Sequence, residues 1–113
     1  GILGYSQGCP MATVYIANSN ASFEKAFLFN GYLPTTHSGL NDTINEVAPL
    51  DVDALIFGGA NDVFMFGVQE LAGVYHEPTI VISNTADHYL PFSDDEAYGD
   101  VLAFFREGTN GNL

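Results

Sequence analysis

Positive charge is nearly absent from this sequence. Lys25 and Arg106 are the only basic residues among 113, against 14 Asp and Glu, for a net charge of −12. Nucleic acid and anionic membrane surfaces repel such a chain and are poor partners. The plain meaning of the excess acid is a soluble, hydrated surface; adaptation to high salt or docking on a basic partner is the sharper alternative. Cysteine occurs once, as Cys9, so no internal disulfide can form. The three His and one Cys show no metal-ligand spacing, so no metal and no other cofactor is expected. Gly58-Gly59 lacks the rest of a phosphate loop. No apolar run is long enough to span a bilayer, and no signal-peptide pattern is visible. The compartment stays open, with a soluble, cytoplasmic one favoured. Asn20-Ala21-Ser22 and Asn41-Asp42-Thr43 match the glycosylation pattern, which implies nothing without a secretory context.

What the chain does have is apolar mass. Hydrophobic residues make up 47%, with nine Phe and six Tyr, enough for the core of one domain or a piece of one. Short continuous apolar runs at Ala26–Phe29, Ala54–Phe57 and Thr79–Ile82 read as buried strands, and Ile2-Leu3 as the end of another. Between them lie helix-compatible stretches. Cys9–Asn18 places Met11, Val14 and Tyr15 on one stripe. Residues 32–49 read as a loop excursion with one helical turn around Asn41–Val47. Met65, Val68, Leu71, Ala72 and Tyr75 follow helical spacing. A last helix opens at Ser93, with Asp94, Asp95 and Glu96 in its first turn and Ala97, Val101, Phe104 and Phe105 on its core face. The tail from Gly108 is expected to fray. Strand and helix therefore alternate. The expected fold is α/β, a parallel sheet of three to four strands with helices on both faces. In such sheets, sites gather at the carboxyl ends of the strands.

Three strand ends carry suggestive residues. Gly4-Tyr5-Ser6-Gln7-Gly8 contains the Gly-x-Ser-x-Gly pattern of a nucleophile elbow. Glycines flank the serine where the turn is expected to leave no room for side chains. Asp62 follows the run ending at Gly59, and His88 follows the run ending at Ile82. The order Ser, Asp, His is that of the α/β-hydrolases. Cys9 is expected to be a packed small residue rather than a reactive thiol. His37 and His76 have no motif and read as surface residues.

These segments resemble one family closely. Gly4–Gly8 is similar to the elbow of the FSH1-type serine hydrolases, a branch of the α/β-hydrolase superfamily near the carboxylesterases and acyl-thioesterases. Phe27-Leu28-Phe29-Asn30-Gly31-Tyr32 resembles a strand and turn of that family. Leu55–Asp62 resembles its strand-Gly-x-x-Asp segment, and His88-Tyr89-Leu90-Pro91 its Gly-Gly-His-x-x-Pro segment. The resemblance implies Ser6 as nucleophile, Asp62 as the acid, His88 as the base, and the backbone N–H of Gln7 as an oxyanion donor. It implies acyl transfer to water from a small-molecule ester or thioester. Ala86-Asp87 departs from the family's Gly-Gly and puts a charge beside His88. The chain starts at the elbow strand, so residues 1–113 correspond to the C-terminal half of such a domain. An N-terminal segment or a partner protein is then expected to cover the free sheet edge. The alternative is a hydrolase-derived accessory subunit of a larger assembly, without turnover.

Overall fold

The fold is that of a computed structural model, which describes residues 1–18, 24–88, 95 and 97–107. Its elements alternate as expected: β1 (Ile2–Tyr5), α1 (Gly8–Asn18), β2 (Lys25–Phe29), α2 (Ser38–Val47), β3 (Asp53–Gly59), α3 (Phe66–Ala72), β4 (Thr79–Ser83) and α4 (Tyr98–Glu107). The four strands form one parallel sheet in the order β1-β2-β3-β4. Ile2 aligns with Ala26, Lys25 with Asp53 and Leu55 with Thr79.

Side-chain alternation divides the sheet into two apolar layers. Ala26, Leu28, Ala54 and Ile56 join Cys9 and Ala12 of α1, Ile44 of α2, and Val68 and Leu71 of α3. Phe29, Leu55 and Phe57 face the other way and join Val81, Ala97 and Phe104, with Phe27 and Val101 packed against them. Helices thus cover both faces. β3 lies between the layers, and its residues Ala54–Gly59 are all buried. No helix among the described residues is long and apolar enough to cross a membrane.

Several local expectations change. The Met11–Val14–Tyr15 stripe is not the buried face of α1: Met11 is 72% exposed and Tyr15 56%. Cys9, Pro10, Ala12 and Thr13 are buried instead. The reason is closeness. α1 lies so near the β2 turn that a Cβ on Gly31 would fall 2.2 Å from Cys9, and only small residues fit that contact. Residues 38–47 form a ten-residue helix, not one turn. Its start is capped by His37, whose Nδ1 accepts the Leu40 N–H at 3.2 Å. α3 stops at Ala72; Tyr75 is buried beyond it, bridged to Leu50. Phe105 is 55% exposed rather than core, because α4 covers β2 and β3 but leaves a shallow apolar hollow of about 210 Å³ beside Leu3 of β1. Ser93, Asp94, Glu96, the Asn20 glycosylation pattern and the tail from Gly108 lie outside the described residues. Asp95 is described and serves α4: its Oδ1 accepts the Ala97 N–H at 2.8 Å and its Oδ2 the Ser83 hydroxyl at 2.7 Å.

One of the two basic side chains holds α4 in place. Lys25 is buried; its Nζ donates to the Phe104 carbonyl and sits 4.0 Å from the centroid of the Phe104 ring. A cation at the last turn of a helix also meets the negative end of its dipole. Lys25→Met keeps the apolar stem and removes the charge. The substitution is expected to cost about 1–3 kcal/mol in urea unfolding, with hydrogen-exchange protection lost first in α4.

Candidate active site

The turn after β1 is built around Ser6. Its φ is +54°, a left-handed conformation that a non-glycine residue adopts only when held there. Two hydrogen bonds and the helix that follows hold it. The Ser6 N–H donates to the Phe29 carbonyl at 2.9 Å, the Cys9 N–H donates back to the Ser6 carbonyl at 3.0 Å, and α1 begins two residues on. Gly4 is what lets the strand and helix approach: a Cβ there would lie 2.7 Å from the Gly8 carbonyl oxygen. Gly8 differs, since a Cβ on it would meet open space. The expectation that both glycines are needed for room therefore holds for Gly4 alone.

Asp62 follows β3 in a tight turn. Its N–H donates to the Gly59 carbonyl at 3.0 Å, and its carbonyl accepts the Met65 N–H at 3.1 Å. The side chain is 1% exposed. A carboxylate so buried must have its oxygens satisfied. Oδ1 accepts the Phe64 N–H at 2.9 Å, and Oδ2 lies 2.8 Å from Nδ1 of His88.

His88 arrives on the segment after β4. Ala60 and Asn61 at the end of β3 bind the start of that segment: the Ala60 N–H donates to the Ser83 carbonyl at 2.8 Å and the Asn61 N–H to the Ala86 carbonyl at 3.0 Å. Nε2 of His88 lies 2.8 Å from the Ser6 hydroxyl. The tautomer follows from the partners. An ionised Asp62 can only accept, so Nδ1 carries the proton, and Nε2 is left to accept from Ser6. The imidazole is 30% exposed and lies between two rings, Tyr5 at 5.4 Å and Phe64 at 5.1 Å. The structure thus brings Ser6, His88 and Asp62 into one line of hydrogen bonds. Gln7, exposed, sits between Ser6 and the first residue of α1.

Other candidates fall elsewhere. Cys9 is fully buried and its thiol donates to the Gly4 carbonyl at 3.3 Å; burial pushes its pKa up to about 12, so it stays protonated. His76 lies 3.8 Å from Glu77 on the surface. Among the described residues, no group of three or more His, Cys, Asp and Glu gathers to hold a metal. Two contacts at the site could not be read from the sequence, although the sequence does put Asp87 beside His88. Asp87 accepts the His88 N–H on its Oδ1 at 2.8 Å, and the Tyr5 hydroxyl donates to the His88 carbonyl at 2.6 Å. The second joins residues 83 positions apart, which no local pattern encodes.

Beside Ser6 a groove of about 660 Å³ runs along the exposed side of α1. Gln7 borders it near the serine, and Met11, Tyr15, Tyr32, Pro34 and Leu40 line its length. None of its lining residues is charged. The Met11–Tyr15 stripe, idle as core, is one wall of this groove.

The family model described as Serine hydrolase (FSH1) matches residues 1–98. No curated protein matches the chain.

The two elbow glycines give a paired test. Gly4→Ala places a methyl against backbone and is expected to cost about 1–3 kcal/mol or prevent folding. Gly8→Ala is expected to be neutral or to stabilise by about 0.5–1 kcal/mol, since alanine orders the helix start at no steric cost. Urea unfolding of the two variants checks the contrast, which reverses if the turn rather than the contact at Gly4 sets the requirement.

Proposed function

The chain belongs to the FSH1 serine hydrolase family, and on that premise we propose that it hydrolyses an ester or thioester through Ser6, His88 and Asp62. The observation that carries this reading is the pair of 2.8 Å contacts joining Ser6 to His88 and His88 to Asp62. A serine hydroxyl is a poor nucleophile until a base removes its proton. Nε2 of His88 is placed to take that proton as the Ser6 oxygen attacks the acyl carbonyl. Asp62 keeps the proton on Nδ1 and stabilises the imidazolium that forms. The Gln7 N–H, next to Ser6 at the start of α1, would donate to the oxyanion. Collapse of the tetrahedral intermediate transfers the proton from Nε2 to the departing alcohol or thiol. Water then repeats the sequence on the acyl-serine, giving the acid and restoring Ser6.

The groove beside Ser6 supports an apolar acyl group. It is of ordinary ligand-pocket size, has no charged lining residue, and is bordered by Gln7, the neighbour of Ser6. An acyl chain lying along α1 would bury methylenes against Met11 and Tyr15.

A second reading keeps the fold without turnover, as an accessory subunit. Its support is the edge of the sheet. Among the described residues β1 pairs only with β2, and Leu3 is 61% exposed beside an apolar hollow. A bare, apolar edge strand is an association surface. In either reading we propose that residues 1–113 form part of a larger α/β-hydrolase domain, with that edge covered by a further segment of the polypeptide or by a partner protein.

A fluorophosphonate probe separates the two. The folded protein is expected to gain one covalent adduct on Ser6, and Ser6→Ala to gain none. A folded protein that stays unlabelled, with a partner bound at native mass, would establish the accessory reading instead. For the acyl group, kcat/KM on p-nitrophenyl esters is expected to rise about fourfold per added methylene while the groove fills, from about 0.8 kcal/mol of burial each. Met11→Asp is expected to flatten that series; a flat series in the unaltered protein would remove the groove from the account.

A further inference from the structure

The sheet order creates a problem of reach for His88. Ser6 follows β1 and His88 follows β4, at opposite edges of the described sheet. Three strand spacings separate those edges, about 14 Å. Residues 84–88 can span at most about 17 Å when fully extended. The backbone of the segment covers only part of that distance, since a Cβ on Gly59 at the end of β3 would lie 2.4 Å from the Ala86 carbonyl oxygen and 2.6 Å from that of Asp87, and the side chains of His88 and Tyr5 bridge the rest. Its first part is well held: Ala86 is fully buried, its N–H donates to the Ser83 hydroxyl at 3.0 Å, and the Asn61 side chain reaches the Thr85 carbonyl at 3.2 Å. Its far end is held differently. Both ring nitrogens of His88 are engaged with Asp62 and Ser6. Its N–H binds Asp87, its own neighbour, which travels with the segment. Among the described residues, the contact that ties the His88 backbone to the opposite edge is the Tyr5 hydroxyl, donating to the His88 carbonyl at 2.6 Å.

We infer that Tyr5 is a positioning residue for His88: its hydroxyl moors the backbone of the base to the strand that carries the nucleophile. Tyr5 is covalently joined to Ser6, so the mooring sets the Ser6–His88 separation locally rather than through four strands. The tilted ring contact, 5.4 Å between centroids at 34°, limits rotation of the imidazole about the same point. Misplacement of a catalytic group by even one ångström is costly in rate. The catalytic consequence rests on the proposed serine-hydrolase chemistry; the mooring itself does not.

The test is Tyr5→Phe, which removes one oxygen from a side chain that is already 38% exposed. Labelling of Ser6 by the fluorophosphonate is expected to slow about tenfold, with kcat on p-nitrophenyl butyrate falling in step and KM within about twofold. In proton NMR, the Nδ1 proton of His88 is expected to exchange with water faster, at an unchanged melting temperature. Asp87→Ala, which frees a bond internal to the segment, is expected to do neither. The inference is overturned if Tyr5→Phe labels and exchanges at the unaltered rates, or if Asp87→Ala produces the effect instead. Should the unaltered protein not label at all, the hydrolase proposal fails, and the exchange rate of the Nδ1 proton still decides whether Tyr5 holds His88.

Discussion

The left-handed backbone at Ser6 is the constraint from which most of this structure follows. A non-glycine residue at φ +54° is strained and must be held by its surroundings. Here the hold comes from the adjacent strand, through the Ser6 N–H and the Phe29 carbonyl, and from the helix, through Cys9. Both anchors require α1 to lie tight against β1 and β2. That closeness selects small residues at Cys9, Ala12 and Thr13 for the buried side. It also turns Met11 and Tyr15 outward, where they line the groove beside the serine. One local distortion thus sets the helix direction, the composition of its buried face and the wall of the neighbouring groove.

The site as a whole is a meeting of three strand ends, and the sheet decides what each can bring. β3 is central and buried, so Asp62, just beyond it, lies in a dry turn with both oxygens occupied. β1 is at an edge of the described sheet, and Tyr5 and Gln7 beside Ser6 are exposed there. The base arrives from the other edge across the top of the sheet, and it is the longest reach of the three. Asp62 and Phe64 meet it from the β3 side, and Tyr5 meets it from β1.

Much of this was legible in the sequence, for physical reasons. The strands are short uninterrupted apolar runs, because a parallel sheet covered on both faces demands them. Ser6, Asp62 and His88 each stand just after such a run, and parallel strands bring such ends to one side. Other features were hidden. The buried face of α1 includes Thr13 and excludes Met11, so hydrophobic periodicity pointed to the wrong side: contact distance, not hydrophobicity, chose the residues. α2 offers few apolar positions and is capped by a histidine rather than by serine or aspartate, so it read as a loop with one turn. The Tyr5–His88 contact joins residues 83 positions apart and exists only once the sheet is assembled.

The scarcity of positive charge bears on the chemistry through where the two cations are. Lys25 is the first residue of β2, at the amino end of the strands, and is spent on holding α4. Arg106 lies in the last turn of α4, two residues from the carbonyl that Lys25 binds. No lysine or arginine is therefore left for the carboxyl ends of the strands. The carboxylate of Asp62, nearly dry, has the imidazole as its charge-bearing partner there. In the proposed reaction the positive charge that grows on His88 meets the Asp62 carboxylate at 2.8 Å. The arrangement favours the imidazolium at the moment the serine oxygen becomes nucleophilic, which is where stabilisation accelerates acyl transfer. Lys25 thus holds the fold together at one end of the sheet, and in the proposed reaction Asp62 serves the chemistry at the other.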